Sequence, residues 1–374
     1  MNKFIPVCEP YLNGNEKEYV LEALQSGWIS SSGKYIKLFE EKFAEYCGAK
    51  YAVCAVNGTT AIHLALASMG IGKDDEVIIP EFTMIASAFA VCYTGAKPVF
   101  VDADKKTWNI DTKLIETKIT KKTKAIMTVS IFGNPCDYDK INQIAKKYNL
   151  LVIEDAAESV GAEYKGIKTG NLANITAFSF FANKNLTTGE GGMITTNSEE
   201  FYNKARYYKN LCFPLDGNRN YIHNDVGFNY RMSNLHAAIG LAQVEKADYY
   251  KDLRIKNGSL YKKYLSDIGG IILQEKTIDS INVYWMNGLV VDPQKYGATK
   301  DELIAHLKSN NIDTRLFFNG MSKQPSLQKY GCDCSGDYPV TENLSKNGFY
   351  LPSASNLTEE KIKYICNCIK EFKK

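Results

Sequence analysis

Lys184 sits within "AFSFFANKNLTTGEGGMIT" (177–195), between an aromatic, strand-like run and a turn rich in Thr and Gly. A lysine on such a boundary is ordinarily a solvated head on a packed stem. An amine at a partly buried strand end has another use: near other cationic groups it loses its proton and attacks a carbonyl, forming a Schiff base. Asp155 ends the apolar run of "LLVIEDAAES". A carboxylate at a strand tip needs a partner for its charge, and capping the next helix is its plainer role. In "VNGTTAIHL" an Asn-Gly turn precedes Gly58 and Thr59, which open a helical pattern. Free N–H groups, a hydroxyl and the positive helix end make an anion cradle there, although Thr is also an ordinary cap. Ser179 lies close before Lys184. A lysine for an aldehyde, a carboxylate for a ring nitrogen and a cradle for a phosphate are together what pyridoxal 5'-phosphate requires.

The elements that must position these groups alternate along the first two thirds of the chain. "KYAVCAVNG" and "DEVIIPEF", then "KPVFVDAD", "TKAIMTVSIFG" and "LLVIEDAA", read as strands. Helical patterns such as "MIASAFAVCYTG" and "YDKINQIAKKYN" fall between them. Short, continuous apolar strands separated by amphipathic helices predict a mostly parallel sheet covered on both faces, an α/β doubly wound core. In such sheets ligands bind at the carboxyl ends of the strands. One long helix is predicted over 232–269, a strand over "INVYWMNGLVVD", a capped helix over "TKDELIAHLKSNN" and a terminal amphipathic helix. The expected division is a large α/β domain over 1–249 and a small C-terminal α+β domain over 250–374.

Forty-five basic and 42 acidic residues leave a net charge of +3, which gives no general case for nucleic acid or anionic membrane as partner. No apolar run approaches a membrane span. The N-terminal stretch lacks a signal-like segment, so a cytoplasmic location is expected. The ten cysteines are scattered without zinc-site spacing, so no metal is expected and reduced thiols are.

Longer stretches carry a resemblance: "SGWISSSGKYIKLFEEKFAEYCGAKYAVCAVNGTTAIHLAL", "FGNPCDYDKI", "VIEDAAESVGAEYKGIKTGN", "FSFFANKNLTTGEGGMITT" and "GFNYRMSNLHAAIGLAQVEK". The chain resembles the DegT/DnrJ/EryC1/StrS sugar aminotransferases, fold type I enzymes that use pyridoxal phosphate, and looks most like the perosamine synthase-like members. The resemblance implies that Lys184 carries the Schiff base and shuttles the proton, and that Asp155 pairs with the pyridine nitrogen. It puts Glu158 near the ring's phenolic oxygen, and Gly58, Thr59 and Ser179 on the phosphate. Asn229 would reach the phosphate site of a neighbouring subunit, making a homodimer with shared sites. Met84 stands where the family commonly stacks an aromatic residue on the ring, Ser130 replaces a histidine, and Ala182 a glycine. Met84 and Ser130 are expected to bear on substrate choice.

By the same resemblance, Trp28, Ile29 and Ser30 lie near the keto substrate. Arg219, Tyr221 and His223 lie on a loop that could meet phosphate or sugar, and Arg315 could bind an anion or form an interdomain ion pair. Trp285 could pack on the entrance or sit buried in the small domain. The implied activity moves an amino group from L-glutamate to a phosphorylated keto acceptor, first of all a nucleotide-linked 4-keto-6-deoxy sugar for surface polysaccharide. A small phosphorylated ketone such as dihydroxyacetone phosphate is the alternative acceptor. A 3-dehydrase is disfavoured because those relatives carry histidine in place of the lysine. A non-catalytic cofactor-binding sensor is disfavoured by the intact Asp155, Ser179 and Lys184, and a Rossmann dehydrogenase by the missing G-x-G-x-x-G.

Overall fold

The computed structural model describes residues 3–217 and 221–372. Among the described residues, nine strands precede residue 200: β1 (Tyr51–Ala55), β2 (Glu76–Pro80), β3 (Lys97–Val101), β4 (Thr123–Val129), β5 (Leu151–Asp155), the hairpin β6 (Glu163–Tyr164) and β7 (Ile167–Lys168), β8 (Ile175–Ser179) and β9 (Gly192–Thr196). Seven of them form one sheet in the order β1-β9-β8-β5-β4-β2-β3. All neighbours from β8 to β3 pair in parallel, and β9 alone runs against both of its neighbours. The continuous apolar runs follow from this: Val77, Ile78 and Ile79 on β2 are all fully buried, because helices cover both faces.

The helices form where polar punctuation permits. Asn57 and Thr60 make a reciprocal capping box that starts the helix Gly58–Ser68 directly after β1. Asp137 caps Tyr138–Tyr148, which buries Ile141, Ile144 and Ala145 and turns its lysines outward. The segment expected as one helix over 232–269 is two, Asn234–Glu245 and Ala247–Leu265, broken at Lys246. The second of these runs across residues 249 and 250 without interruption.

Beyond it lie β10 (Ile271–Leu273), β11 (Ser280–Ile281), β12 (Asn287–Val291), β13 (Arg315–Leu316) and β14 (Gly348–Leu351). Four of them make a second sheet, β10-β12-β14-β13, antiparallel throughout, while β11 pairs with the β6–β7 hairpin. The strand expected over 281–292 is therefore shorter. Tyr284, with φ +47°, turns the chain between β11 and β12. Ile5 bridges to Ile312, so the start of the chain packs with the second sheet's core of Leu289, Phe349, Leu351 and Ile365. Among the described residues no helix is long and apolar enough to cross a membrane.

Two buried carboxylates tie the second part to the strand ends of the large sheet. Asp102, just past β3, accepts from Val340 N at 3.0 Å, Thr341 N at 2.9 Å and Thr341 Oγ1 at 2.7 Å. It thereby caps the helix Pro339–Asn347 from another element. Glu81, just past β2, accepts from Ser322 N at 2.9 Å and Ser322 Oγ at 2.6 Å. Asp102→Ala is expected to strand these donors and cost about 3 kcal/mol. Urea unfolding of the two proteins checks this, and a loss within error of zero would refute it.

Candidate active site

The carboxyl ends of β5 and β8 and the start of the helix Gly58–Ser68 open on one hollow of ≈ 430 Å³. Gly58, Thr59, Met84, Asp155, Glu158, Ser179 and Lys184 all line it. The backbone makes this convergence. A Cβ on Gly58 would lie 2.6 Å from the Ser179 Cβ, so only glycine lets the helix start approach the end of β8. Thr60 N is taken by Asn57 Oδ1. The N–H groups of Gly58 and Thr59, at the helix start, have no carbonyl one turn earlier within the helix.

Asp155 is the last residue of β5 and is buried. Its Oδ2 accepts from Ser87 Oγ at 2.7 Å and its Oδ1 from Ala157 N at 3.1 Å. Glu158, one turn further on, accepts from Phe132 N at 2.7 Å. Phe132 donates from a left-handed conformation, φ +56°, rare for so bulky a residue. Lys184 Nζ stands 4.0 Å from Glu158 Oε1 and 3.6 Å from the centroid of the Trp285 ring.

Burial governs the charges. It pushes the Asp155 carboxyl above the usual carboxylate range, against the pull of Ser87, Ala157 N–H and Lys184. It pushes Glu158 up to about 7, with Lys184 and the Phe132 N–H opposing. It pushes the Lys184 amine below the usual lysine value, with Glu158 and Asp155 opposing. Acids rise and the base falls, so their titrations approach one another. A smaller gap between acid and base lowers the cost of passing a proton between them.

The other expected site residues lie elsewhere. Trp28 is 61% exposed and borders a separate hollow with Glu22, Tyr35 and Asn234. Ser30 gives its carbonyl to Asn234 N at 2.6 Å. His223 is exposed, with Nδ1 2.6 Å from Leu211 O, and Asn229 Oδ1 accepts from Arg231 Nε at 2.9 Å. Arg315 pairs with nearby Asp313 at 2.6 Å, a local contact in place of an interdomain ion pair. Arg219 lies outside the described residues. Ser130 does not reach the hollow: its Oγ donates to Glu154 Oε1 at 3.2 Å, on the buried side of β5, so of Met84 and Ser130 only Met84 borders the site. Met84 is half-exposed and starts the helix Ile85–Tyr93.

The second part adds walls, of which the sequence named only Trp285, as an entrance or buried residue. Trp285 is both buried and on the hollow, and Phe318 and Tyr350 join it. Asn183, beside the lysine, also lines it.

A sequence profile of the DegT/DnrJ/EryC1/StrS aminotransferase family matches residues 10–370. The GDP-perosamine synthase of Escherichia coli O157:H7 is 44% identical over 371 residues, covering 99% of each chain. That of Caulobacter vibrioides is 45% identical over 359 residues, 96% of this chain and 95% of the relative. Among solved structures, S. venezuelae DesV in complex with a ketimine intermediate is similar with a TM-score of 0.92 at 28% identity, over 100% of this chain and 99% of that one.

Because Glu158 holds its proton up to about 7 in the folded chain against an ordinary 4.5, its stabilising contribution is complete below 4.5 and lost as pH rises through 7. Glu158→Gln removes that titration. Its stability relative to the parent is expected to climb across this window by on the order of 3 kcal/mol. Urea unfolding across the window checks it, and a difference independent of pH would overturn it.

Proposed function

We propose a function from one premise: the chain belongs to the DegT/DnrJ/EryC1/StrS aminotransferase family, which works with pyridoxal phosphate. In this reading it moves an amino group from L-glutamate to the keto carbon of a nucleotide-linked 4-keto-6-deoxy sugar, for surface polysaccharide. The observation that carries it is the buried Lys184 amine beside Glu158 and Asp155, in a hollow that also holds a helix start. Near-full-length identity of 44% and 45% to two GDP-perosamine synthases supports a GDP-linked acceptor.

The residues present fit the cofactor. The cradle at Gly58 and Ser179 is too close for any side chain on Gly58, which suits a phosphate held by backbone N–H groups, Thr59 and Ser179. Asp155, held by Ser87 and the Ala157 N–H, suits a protonated ring nitrogen, and Glu158 suits the neighbourhood of the phenolic oxygen. The Met84 thioether would pack on the ring face. Bound there, pyridoxal phosphate supplies the aldehyde that takes up the amino group and a ring that spreads the charge left by a departing proton. Lys184 Nζ holds that proton and returns it to the neighbouring carbon. Burial lowers its basicity below that of an ordinary lysine, so the uncharged amine that can take up a proton is easier to reach.

The division into a cofactor part over 1–249 and a smaller part over 250–374 belongs to this reading, as does a cytoplasmic setting with soluble donor and acceptor. So does a homodimer with shared sites. Trp28 and Ile29, and separately Tyr221, Ile222 and Val226, expose large apolar surface outside the hollow. Such surface suits a second copy that would bring Asn229, Arg219 and His223 to its neighbour's site and Trp28 and Ser30 to the sugar. Arg315 remains a candidate for an anionic substrate group.

Lys184→Ala is expected to lose the borohydride-fixable lysine–cofactor link and to slow the glutamate half-reaction by about 10⁴-fold. A link that survives would refute the role of Lys184. The parent enzyme, aminated with L-glutamate and freed of excess, should regain its lysine-bound absorption with a GDP-linked 4-keto-6-deoxy sugar. Return only with dihydroxyacetone phosphate would overturn the acceptor. Failure of glutamate to bleach the band would overturn the transfer itself.

A further inference from the structure

We propose that Trp285 is a positioning residue whose ring face seats the Lys184 ammonium whenever the lysine is free of the cofactor. The inference rests on the reading that Lys184 carries the chemistry. At 4.0 Å, the Glu158 carboxylate is too far for a charge-assisted hydrogen bond, which needs about 2.8 Å. The Trp285 face, with its centroid 3.6 Å from Nζ, is within the range of a strong cation–π contact. Indole is the best of the aromatic faces for this, and the contact gains strength where water is excluded.

The ring is held from several sides. Its Nε1 donates at 2.9 Å to the carbonyl of Asn183, the residue before the lysine, so ring and amine share one stretch of backbone. The carbonyl of Trp285 accepts from the buried Arg254 at 2.9 Å. The preceding Tyr284 is fixed at φ +47° by its N–H to Asn282 Oδ1 at 2.7 Å. Gly133, at φ +98°, lets the loop 131–133 press on this turn, where a Cβ would come within 3.0 Å of Trp285 N. The same loop presents the Phe132 N–H to Glu158. One loop therefore sets both groups that flank the lysine.

Several charged or titratable groups face this place. Glu158 and Asp155 come from β5 and the turn after it, and Cys8 from the N-terminal segment, its Sγ 3.4 Å from Asn183 O. Arg254 Nη2 lies 3.5 Å from that sulfur, and Tyr350 and Glu190 line the hollow. Burial drives the amine toward neutrality while the carboxylates oppose it. The indole face adds a second opposing pull that needs no partner charge. It steadies the amine in the state in which it holds a proton, before that proton is returned.

The test labels Lys184 with trace acetic anhydride in the full-length enzyme carrying its cofactor in the pyridoxamine form, across pH, with the modified peptide quantified by mass spectrometry. Trp285→Leu is expected to move the labelling midpoint down by about one pH unit, because only the charged form loses a partner. Trp285→Met, which keeps more bulk, should shift it similarly and serves if the leucine variant does not fold. Trp285→Phe loses the same N–H but keeps a face, and should recover about half of the shift. Unchanged midpoints in the non-aromatic variants, or a Phe variant that shifts as far as they do, would overturn the proposal. This readout needs neither acceptor nor turnover, so it fails separately from the proposed transfer reaction.

Discussion

A lysine amine withdrawn from water between two buried carboxyl groups is the constraint on which the rest of the site depends. Burial disfavours every charge in the group, so each must be matched by a fixed dipole or an opposite charge. The structure supplies these one by one: Ser87 Oγ and the Ala157 N–H for Asp155, the Phe132 N–H for Glu158, an indole face for Lys184. Phe132 adopts a conformation costly for its side chain in order to aim its N–H. Strain at that position marks where packing has been subordinated to the charge problem.

The large sheet solves only half of it. It brings carboxylates, lysine and helix start to one edge because parallel strands all end there. The wall opposite comes from the second part of the chain, through Trp285, Phe318 and Tyr350. That part must therefore be held in register. Asp102 and Glu81 do so from the strand ends of β3 and β2, while within that part Arg254, on the helix Ala247–Leu265, ties the carbonyls of Trp285 and Ser353 and the hydroxyl of Ser355 together. Hydrogen bonds to charged groups in dry surroundings are strong and directional, which suits them to fixing one part against another.

Of Met84 and Ser130, the two residues expected to bear on substrate choice, the fold brings only one to the hollow. Ser130 is turned to Glu154, within a buried network that also includes Thr176 Oγ1 and the Gly170 N–H. The Ser130 hydroxyl therefore bears on the support of β5 rather than on the hollow. Met84 borders the hollow and is half-exposed. A flexible, polarizable thioether there accepts more than one shape of neighbour.

Local sequence determined the sheet and its loaded edge. Apolar runs between amphipathic helices require a doubly covered sheet, and a strand tip must carry whatever polar residue follows the run, so Asp155, Ser179 and the helix start at Gly58 were legible. Lys184 was legible because its surroundings change from apolar to Gly-rich within a few residues. Tertiary structure alone decided what stands opposite. Trp285 and Tyr350 are 101 and 166 residues beyond Lys184, and nothing in their own neighbourhoods distinguishes a core aromatic from one that faces an amine. It also broke the helix expected over 232–269 at Lys246 and interrupted the strand expected over 281–292 with a turn at Tyr284. It left Trp28, His223, Asn229 and Arg315 away from the hollow. Periodicity records which face of an element is dry, because that is a local property of the chain. Which distant group dries it is fixed only when separate elements pack, and no spacing along one strand or helix carries that information.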